Sequence, residues 1–238
     1  MNDPVVLSVL VTGATGPAGR ATAARLAADG HRIALNGTDP ARLHAAVHDL
    51  GLAPDRSLVA PGDLTDPAAA REVARAVEQA FGRIDLVAHL VGGWAGGTAV
   101  ADLDHDEIRR LLDQHLWTTL NVLQAVVPGM RERGYGRLVA VSSPLAATPG
   151  PRGASYAIAK SAEEILLRSV AKEGAAEGVT ANVLVVRTLD DERSRAERPT
   201  ANRAGWTTPE EVAEAIAWLA SPAAAAVTGA RIPLDGRG

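Results

Sequence analysis

Short apolar segments alternate with longer amphipathic segments from one end of the chain to the other. Most of the short segments lack strict alternation of apolar and polar residues, which is typical of strands buried on both faces of a parallel sheet. The predicted strands cover residues 5–12, 31–36, 57–60, 84–91, 137–143, 179–186 and 230–234. The predicted helices cover residues 17–29, 40–50, 67–81, 104–133, 154–177 and 209–220. This order predicts an α/β fold, a doubly wound parallel sheet of about seven strands with helices on both faces.

Three predicted helices carry a start signal, in which a capping residue is followed by proline at the first helical position. These signals are Asp39-Pro40, Asp66-Pro67 and Thr208-Pro209. No internal repeat, low-complexity tract or linker divides the 238 residues, and this length suits one large α/β domain. We therefore predict a single domain over residues 1–238.

Composition excludes several classes of function. The formal net charge is −4 and no block of like charges stands out, which argues against a nucleic-acid or membrane surface. Cysteine is absent, so disulfides, thiol nucleophiles and thiolate metal sites are excluded, and we predict no metal. The first apolar segment has no basic flank and is too short to span a bilayer, so we expect a cytoplasmic protein.

A glycine-rich turn, VTGATGPAGRA, joins the first predicted strand to the first predicted helix and contains Gly13, Gly16 and Gly19. Glycine allows positive φ and close approach of the backbone to a ligand. The N-terminus of a helix offers unpaired N–H groups and the positive end of the helix dipole, which together suit a pyrophosphate. The alternative is a tight turn without a ligand. The strand–turn–helix context favours a dinucleotide and a Rossmann-like sheet.

The end of the second predicted strand bears on the choice of dinucleotide. An acidic residue there would bind the adenosine ribose 2′-hydroxyl, whereas its absence leaves room for a 2′-phosphate. The strand ends in Gly37 and Thr38, and Asp39 is better explained as the cap of the next helix. We therefore predict a preference for NADP, with NAD possible. Arg20 and Arg42 are candidate phosphate partners, although a solvated helix face explains both equally well.

Tyr156 and Lys160 are spaced to share one face of the sixth predicted helix. A nearby ammonium favours the phenolate, so the phenol can exchange a proton with a carbonyl oxygen while hydride is transferred to carbon. Ser143 ends the fifth predicted strand at the ligand-binding edge of the sheet, where its hydroxyl can bind the reacting oxygen. Each residue also has a structural explanation: the tyrosine packs in the core, the lysine is solvated and the serine caps the strand end.

Taken in order, the segments TGATGPAG, GDLTD, VSS and YAIAK resemble those of the short-chain dehydrogenase/reductase family, and the resemblance covers essentially the whole chain. It implies NAD(P)-dependent hydride transfer with Ser143, Tyr156 and Lys160 as the catalytic set, and a homodimer or homotetramer. It also implies a cofactor site comprising Gly13, Thr15, Gly16, Gly19, Gly37, Thr38, Asp63, Leu64, Gly92 and Lys160. In this site the glycines of the turn contact phosphates, Asp63 and Leu64 border the adenine, and Lys160 also holds the nicotinamide ribose.

The chain departs from the family pattern at several positions. The glycines are spaced G-x-x-G-x-x-G, and HLVG at residues 89–92 replaces the usual Asn-Asn-Ala-Gly. His115 aligns with an asparagine that anchors a water relay behind the lysine, so it is either a member of an altered relay or a packed residue. Val186-Arg187 replaces the usual Pro-Gly after the sixth predicted strand, at the nicotinamide amide contact.

Two further segments bear on the substrate. VGGWAGG at residues 91–97 resembles a loop of quinonoid dihydropteridine reductase, in which Trp94 would stack on a flat bicyclic substrate. The alternative is a tryptophan that packs on the loop. Residues 188–206 are polar, rich in arginine and long for a connection, which predicts a substrate lid. Their arginines either attract an anionic substrate or lie on a solvated loop.

These observations lead to one main hypothesis: a short-chain, NAD(P)-dependent oxidoreductase that interconverts a small carbonyl substrate and its alcohol, with Tyr156 as general acid and base. Dihydropteridine reduction is the alternative within the enzyme class. A cofactor-binding sensor or scaffold protein without turnover is the alternative from another class, supported by the departures at His89, His115 and Val186-Arg187.

Overall fold

The structure, a computed structural model that describes residues 6–235, contains one parallel sheet of seven strands in the order β3-β2-β1-β4-β5-β6-β7. The strands are β1 (Ser8–Thr12), β2 (Arg32–Gly37), β3 (Ser57–Pro61), β4 (Leu86–His89), β5 (Gly136–Ser142), β6 (Val179–Val185) and β7 (Arg231–Pro233). The doubly wound α/β fold predicted from the sequence is therefore confirmed. Residue 5, where the first strand was predicted to begin, lies outside the described residues.

Helices cover both faces of this sheet. They are α1 (Pro17–Ala28), α2 (Pro40–Asp49), α3 (Pro67–Phe81), α4 (His105–Leu112), α5 (Thr118–Glu132), α6 (Ala154–Glu173), α7 (Ser194–Glu197) and α8 (Pro209–Ala220). Side chains of β1 alternate between two cores, because Leu10 packs with α3, α5 and α6 whereas Val9 and Val11 pack with α1 and α8. Within residues 6–235, no helix is both long enough and apolar enough to cross a membrane.

The three predicted start signals all cap helices. Asp39 and Asp66 each accept a hydrogen bond from a backbone N–H in the first turn of α2 and α3. Thr208 forms a reciprocal capping box with Glu211 at the start of α8. Residues that satisfy the first N–H groups of a helix thus fix where these helices begin.

Two predicted helices differ from the structure in their interior or their end. The segment predicted as one helix over 104–133 is interrupted by a π-helical turn at Asp113–Trp117, between α4 and α5. The helix predicted to reach residue 177 ends at Glu173, and a 3-10 turn covers Ala175–Glu177. The π turn contains His115 and packs on α6.

The strand order reverses direction at β1, which pairs with β2 on one side and with β4 on the other. Loops that leave β1 and β4 therefore run to opposite sides of the sheet and leave a crevice beyond the carboxyl ends of these strands. Any ligand of this sheet is expected to bind there.

Candidate active site

The glycine turn lies at this reversal point, and two of its glycines are required by the packing of the protein itself. Gly13 has φ = +64°, and a Cβ atom there would lie 2.5 Å from the carbonyl oxygen of Leu90. A Cβ atom on Gly19 would overlap the carbonyl oxygen of Gly13. These two glycines bring the turn close to the end of β4 and to the first turn of α1, whether or not a ligand is bound.

Gly16 differs from the other two glycines of the turn. A Cβ atom added to Gly16 would have the carbonyl oxygen of Gly13 as its nearest protein atom, at 3.4 Å. The packing of the protein alone therefore does not require glycine here. Gly16 is the N-cap of α1, and no side chain caps this helix. The first N–H groups of the 12-residue helix thus face outward at a position without a side chain, which fits a phosphate group.

The carboxylate that follows the end of β2, that of Asp39, caps the next helix through one of its oxygen atoms. Gly37 ends the strand, Thr38 is exposed, and the Asp39 carboxylate accepts hydrogen bonds from the N–H groups of Ala41 (2.9 Å) and Arg42 (3.2 Å). Thr15 lies beside Gly37, because its Cγ2 atom is 3.9 Å from the position of a Cβ on that glycine.

The two arginines predicted as phosphate partners differ in their surroundings. Arg20 forms an ion pair with Asp49 at 3.1 Å, so its guanidinium already has an anionic partner. Arg42 is exposed in the first turn of α2.

Asp63 and Leu64 follow β3, where the family resemblance implies contact with adenine. The exposed Asp63 carboxylate accepts hydrogen bonds from the N–H and the hydroxyl of Thr65, which holds the loop in a tight turn. The side chain of Leu64 is 4% exposed and belongs to the core. The Leu64 side chain thus faces the core, and the contact of Asp63 and Leu64 with adenine stays a prediction.

A cavity of about 850 Å³ opens beyond the carboxyl ends of β4, β5 and β6. Six residues predicted from the sequence to belong to the site line its wall: Gly92, Trp94, His115, Ser143, Tyr156 and Lys160. Val186 and Arg187, one of the departures from the family pattern, line it as well. The three glycines of the turn and the residues of the β2 end lie outside this wall. Ala18, in the first turn of α1, and Leu90, which lies against Gly13, line it.

Ser143 follows the last residue of β5 and is buried at the cavity wall. Its hydroxyl oxygen accepts a hydrogen bond from the N–H of Leu145 at 3.3 Å, as the N-cap of a short 3-10 turn. The structural explanation offered by the sequence, a capping serine, therefore holds. Capping uses only the oxygen as acceptor, so the hydroxyl hydrogen remains able to bind an oxygen atom in the cavity.

Tyr156 and Lys160 lie one turn apart in α6 and both line the cavity, as their spacing predicts. Burial raises the pKa of Tyr156; the Lys160 ammonium acts to lower it and the Glu163 carboxylate to raise it further. The sequence predicted that the lysine makes this phenol more acidic. The Lys160 ammonium acts in that direction, but the effect of burial on the pKa of Tyr156 is larger.

Lys160 is 5% exposed and is held by two acceptors. Its Nζ atom donates to the carbonyl oxygen of Val141 at 2.7 Å and to Oε2 of Glu163 at 2.7 Å. Glu163 is fully buried, and the sequence analysis did not select it. A signal existed, because a residue three positions after Lys160 and seven after Tyr156 lies on the same helix face.

His115 lies beside this ion pair. Its Nε2 atom is 2.9 Å from the carbonyl oxygen of Gly93, which can only accept, so Nε2 carries a hydrogen. Its Nδ1 atom is 3.6 Å from Oε2 of Glu163, beyond hydrogen-bond distance but close enough for electrostatic attraction or repulsion. The imidazole also meets the Tyr156 ring edge to face, with centroids 5.6 Å apart. The predicted relay position is therefore next to the lysine, although it contacts the carboxylate rather than the ammonium.

His89, at the end of β4, is a second buried histidine near the site. Thr12 Oγ1 lies 2.9 Å from its Nδ1 and also accepts the N–H of Leu90, so we assign the threonine hydrogen to Nδ1. Burial lowers the pKa of His89 to about 4, against the opposing effect of Glu163. The imidazole is thus neutral and braces the ends of β1 and β4 where the family usually has asparagine.

Trp94 extends from the loop after β4 and is 71% exposed. Its indole lies against Gly96, with Cζ2 3.2 Å from the position of a Cβ on that glycine. Because most of the ring remains open to solvent at the mouth of the cavity, packing on the loop accounts for only part of its surface.

The segment 188–206, predicted as a lid, is fixed at several points. Leu189 forms a parallel bridge with Thr207, and the buried Asp190 carboxylate accepts the N–H groups of Ser194 and Arg195. Its arginines bind protein groups: Arg193 pairs with Glu210 and Arg195 with Glu211. Neither interpretation of these arginines anticipated such pairing with α8.

Comparison with known proteins agrees with this geometry. A family model described as enoyl-(acyl carrier protein) reductase matches residues 13–236. The chain is 32% identical, over 92% of its length and 89% of the relative, to the hydroxy(phenyl)methyl-succinyl-CoA dehydrogenase subunit BbsC of Thauera aromatica. It is 30% identical, over 96% of its length and 91% of the relative, to the 3-oxoacyl-(acyl-carrier-protein) reductase MabA of Mycobacterium tuberculosis.

Among solved structures, an NADPH-bound short-chain oxidoreductase from Pseudomonas aeruginosa, described as having an atypical catalytic centre, superimposes with a TM-score of 0.85. It is 27% identical, and the match covers 97% of this chain and 96% of that one. The fold, the site and these relatives define a nicotinamide-dependent oxidoreductase. The chain belongs to the short-chain dehydrogenase/reductase family, as its sequence motifs predicted.

Proposed function

We propose that this enzyme uses NADPH to reduce the ketone group of a small substrate to a secondary alcohol, or catalyses the reverse oxidation. The observation that carries the proposal is the convergence of Ser143, Tyr156 and Lys160 on the wall of one cavity. A hydroxyl, a phenol and an ammonium at the carboxyl edge of a parallel sheet are the groups that carbonyl reduction requires.

The residues at the reversal point fit a dinucleotide. Gly16 and the uncapped N-terminus of α1 would hold its phosphates, Thr15 and Gly37 would border the adenosine ribose, and Gly92 would line the nicotinamide ribose. The NADPH preference is supported by the β2 end, where Gly37 and Thr38 offer no carboxylate, and by Asp39, whose Oδ1 atom serves as the cap of α2. Thr38 and Asp63, both exposed, would border the adenosine.

When bound, NADPH would supply the hydride that the carbonyl carbon accepts. Tyr156 donates its hydroxyl proton to the carbonyl oxygen, Ser143 donates a hydrogen bond to the same oxygen, and Lys160 provides positive charge beside the phenolate that Tyr156 becomes. Water returns a proton to the phenolate, which restores the phenol. In the direction of oxidation each proton transfer is reversed.

The names of the relatives suggest which ketones to test first. Both curated relatives are named for reactions of acyl thioesters, one carried on an acyl carrier protein and one on coenzyme A. We therefore propose a 3-oxoacyl thioester as the leading substrate class. The exposed Trp94 at the cavity mouth supports the second candidate, a flat quinonoid dihydropterin that stacks on the indole.

We infer that the enzyme is a homodimer or homotetramer. Ile158 and Ile165 lie seven residues apart on one face of α6, and they are 47% and 58% exposed. Trp117, in the π turn that packs on α6, is 46% exposed. Burial of these side chains against a second copy would remove them from water. Analytical ultracentrifugation would measure the oligomeric state, and a monomer at micromolar concentration would refute the inference.

The test of function is turnover by the wild type and by the Tyr156→Phe variant, with NADPH and acetoacetyl-CoA, a ketone panel and quinonoid dihydropterin. We expect Tyr156→Phe to lower the turnover rate about 10²- to 10⁴-fold with little change in NADPH affinity, because only the proton donor is removed. Tyr135→Phe removes the other tyrosine of the chain and is the matched control. Tight NADPH binding without turnover of any substrate would instead favour the sensor or scaffold alternative.

A further inference from the structure

Glu163 has no solvent exposure, yet it places a carboxylate directly behind Lys160 of the cavity wall. Its Oε2 atom accepts from Lys160 at 2.7 Å, and its Oε1 atom has no hydrogen-bond partner within the described part of the chain. Burial of a carboxylate is costly unless it is paired and fully hydrogen-bonded. Glu163 is therefore a residue whose presence the packing of α6 alone does not explain.

The neighbouring Glu164 shows what a fully satisfied buried carboxylate looks like in the same helix. It accepts from the Ser142 hydroxyl at 2.6 Å and from two nitrogen atoms of Arg231 at 2.7 and 3.1 Å. These contacts tie α6 to β5 and β7, away from the lysine. Glu164 thus has a structural role, whereas the hydrogen bond of Glu163 goes to the predicted catalytic lysine.

The titratable groups that surround Glu163 come from three elements. Lys160 and Tyr156 lie on its own helix, His115 approaches from the π turn, and His89 approaches from β4. Burial acts to raise the pKa of Glu163, but the Lys160 ammonium opposes it, with His115 acting in the same direction, and the pKa is lowered overall. The carboxylate is therefore charged at neutral pH, and the Lys160 ammonium faces the phenol together with its own counter-ion.

We propose that Glu163 is a positioning residue of the reaction centre: its carboxylate fixes the Lys160 ammonium against Val141 and balances its charge, which together with burial keeps Tyr156 a neutral phenol ready to donate its proton. This inference rests on the proposed function. Without Glu163, an uncompensated ammonium would favour the phenolate, which cannot donate. The site is thereby set for reduction at neutral pH, and alcohol oxidation, which needs the phenolate, requires alkaline conditions.

The composition of the chain makes the coupling measurable in the protein without cofactor or substrate. Tyr135 and Tyr156 are the two tyrosines of the chain, so a [¹³C]tyrosine-labelled sample gives two ring signals, assigned with Tyr135→Phe. We expect the titration midpoint of Tyr156 to move to lower pH in Glu163→Gln, because the amide keeps the acceptor for Lys160 but removes the negative charge. Glu164→Gln, the matched control, should leave that midpoint in place. Equal midpoints in Glu163→Gln and wild type would overturn the proposal.

A second measurement uses the wild type alone and covers the case in which Glu163→Gln does not fold. Lys160 and Lys172 are the two lysines of the chain, and Lys172 is exposed. In [¹⁵N]lysine-labelled protein, the Lys160 ammonium signal should shift at acidic pH when Glu163 gains its proton, whereas the Lys172 signal should not show this transition. The absence of a separate Lys160 transition would also overturn the proposal.

Activity then separates this inference from the proposed function. The pH profile of alcohol oxidation should move to lower pH in Glu163→Gln, together with the Tyr156 midpoint. If the enzyme turns over a substrate but the Tyr156 midpoint is the same in wild type and in Glu163→Gln, this inference is overturned and the proposed function stays intact. If the Tyr156 midpoint shifts in Glu163→Gln but no substrate is turned over, the proposed function is overturned while the link between Glu163 and Tyr156 remains.

Discussion

A Cβ atom on Gly92 would lie 2.5 Å from Cε1 of His115, so the imidazole occupies the space that a larger residue at position 92 would need. Gly92 therefore has a reason to be glycine that does not depend on a ligand. The same contact places the loop after β4 directly over the histidine that borders Glu163 and Tyr156. The loop and the histidine form one packing unit.

This contact predicts non-additive effects of two substitutions. Gly92→Ala should destabilise the protein by about 1–3 kcal/mol through overpacking against the imidazole. In a His115→Ala background the same substitution should cost less, because the opposing ring is gone. Urea unfolding of the wild type, both single variants and the double variant would measure the coupling. Additive costs would show that the imidazole does not oppose the added methyl group.

The glycine turn predicts a contrast between folding and ligand binding. Gly19→Ala should lower stability by about 1–3 kcal/mol, because its methyl group would meet the backbone of Gly13. Gly16→Ala should fold normally but weaken NADPH binding about tenfold, since the methyl group would occupy the outward face of the turn. Thermal unfolding and fluorescence titration with NADPH would measure the two effects. Unchanged NADPH affinity in Gly16→Ala would argue against a phosphate at this position.

The end of β2 predicts a change of cofactor preference. Gly37→Asp should move the ratio of NADH to NADPH affinity about tenfold or more toward NADH, because it introduces a carboxylate that binds a ribose hydroxyl and repels a phosphate. Asp39→Ala is the control: loss of the cap should cost about 1 kcal/mol of stability and leave the ratio unchanged. Binding titrations at matched ionic strength would decide it. A shift of similar size in Asp39→Ala would assign the cofactor contact to Asp39 instead.

His89 predicts a loss of stability at mildly acidic pH. Its pKa is about 4 in the folded protein and ordinarily 6.5, so below pH 6.5 the unfolded chain binds a proton that the folded protein does not. Stability therefore falls as the pH is lowered through this range, by about 2 kcal/mol at pH 5 from this residue. Between pH 7 and pH 5, His89→Asn should lose less unfolding free energy than wild type.

His31 provides the comparison for this experiment. Burial also lowers the pKa of His31, but this residue is only partly buried. It lies at the amino-terminal end of β2, whereas His89 lies at the carboxyl-terminal end of β4. His31→Asn should therefore reduce the acid sensitivity less than His89→Asn does. Equal pH dependence in wild type and His89→Asn would show that His89 is not held neutral.

Much of the fold could be read from the sequence because its signals are local. Apolar segments buried on both faces gave the seven strands, and Asp39, Asp66 and Thr208 marked helix starts because each side chain satisfies N–H groups a few residues away. The positions of Tyr156, Lys160 and Ser143 in one cavity also follow from local rules, since helix spacing and the carboxyl edge of the sheet determine them.

The surroundings of these residues could not be predicted in the same way. Glu163 and Glu164 are adjacent acidic residues that would normally be placed on a solvated helix face, yet both are buried. Helix spacing places Glu163 beside Lys160, but the approach of His115 to Glu163, and of Ser142 and Arg231 to Glu164, depends on distant parts of the chain. Arg193 and Arg195 were predicted either to attract an anionic substrate or to lie on a solvated loop, but both pair with glutamates of α8. Whether a charge is exposed depends on what the fold brings opposite it, and one sequence does not show this.

The π turn at Asp113–Trp117 has a consequence for how this enzyme can change in length. The wider turn accommodates one residue more than an α-helix would, so deletion of a single residue there would convert the turn to regular α-helix while α4 and α5 kept their buried faces. Side chains inside the turn would change direction, and His115 would leave its place beside Glu163. A one-residue deletion in this stretch should therefore disturb the reaction centre more than it disturbs the fold.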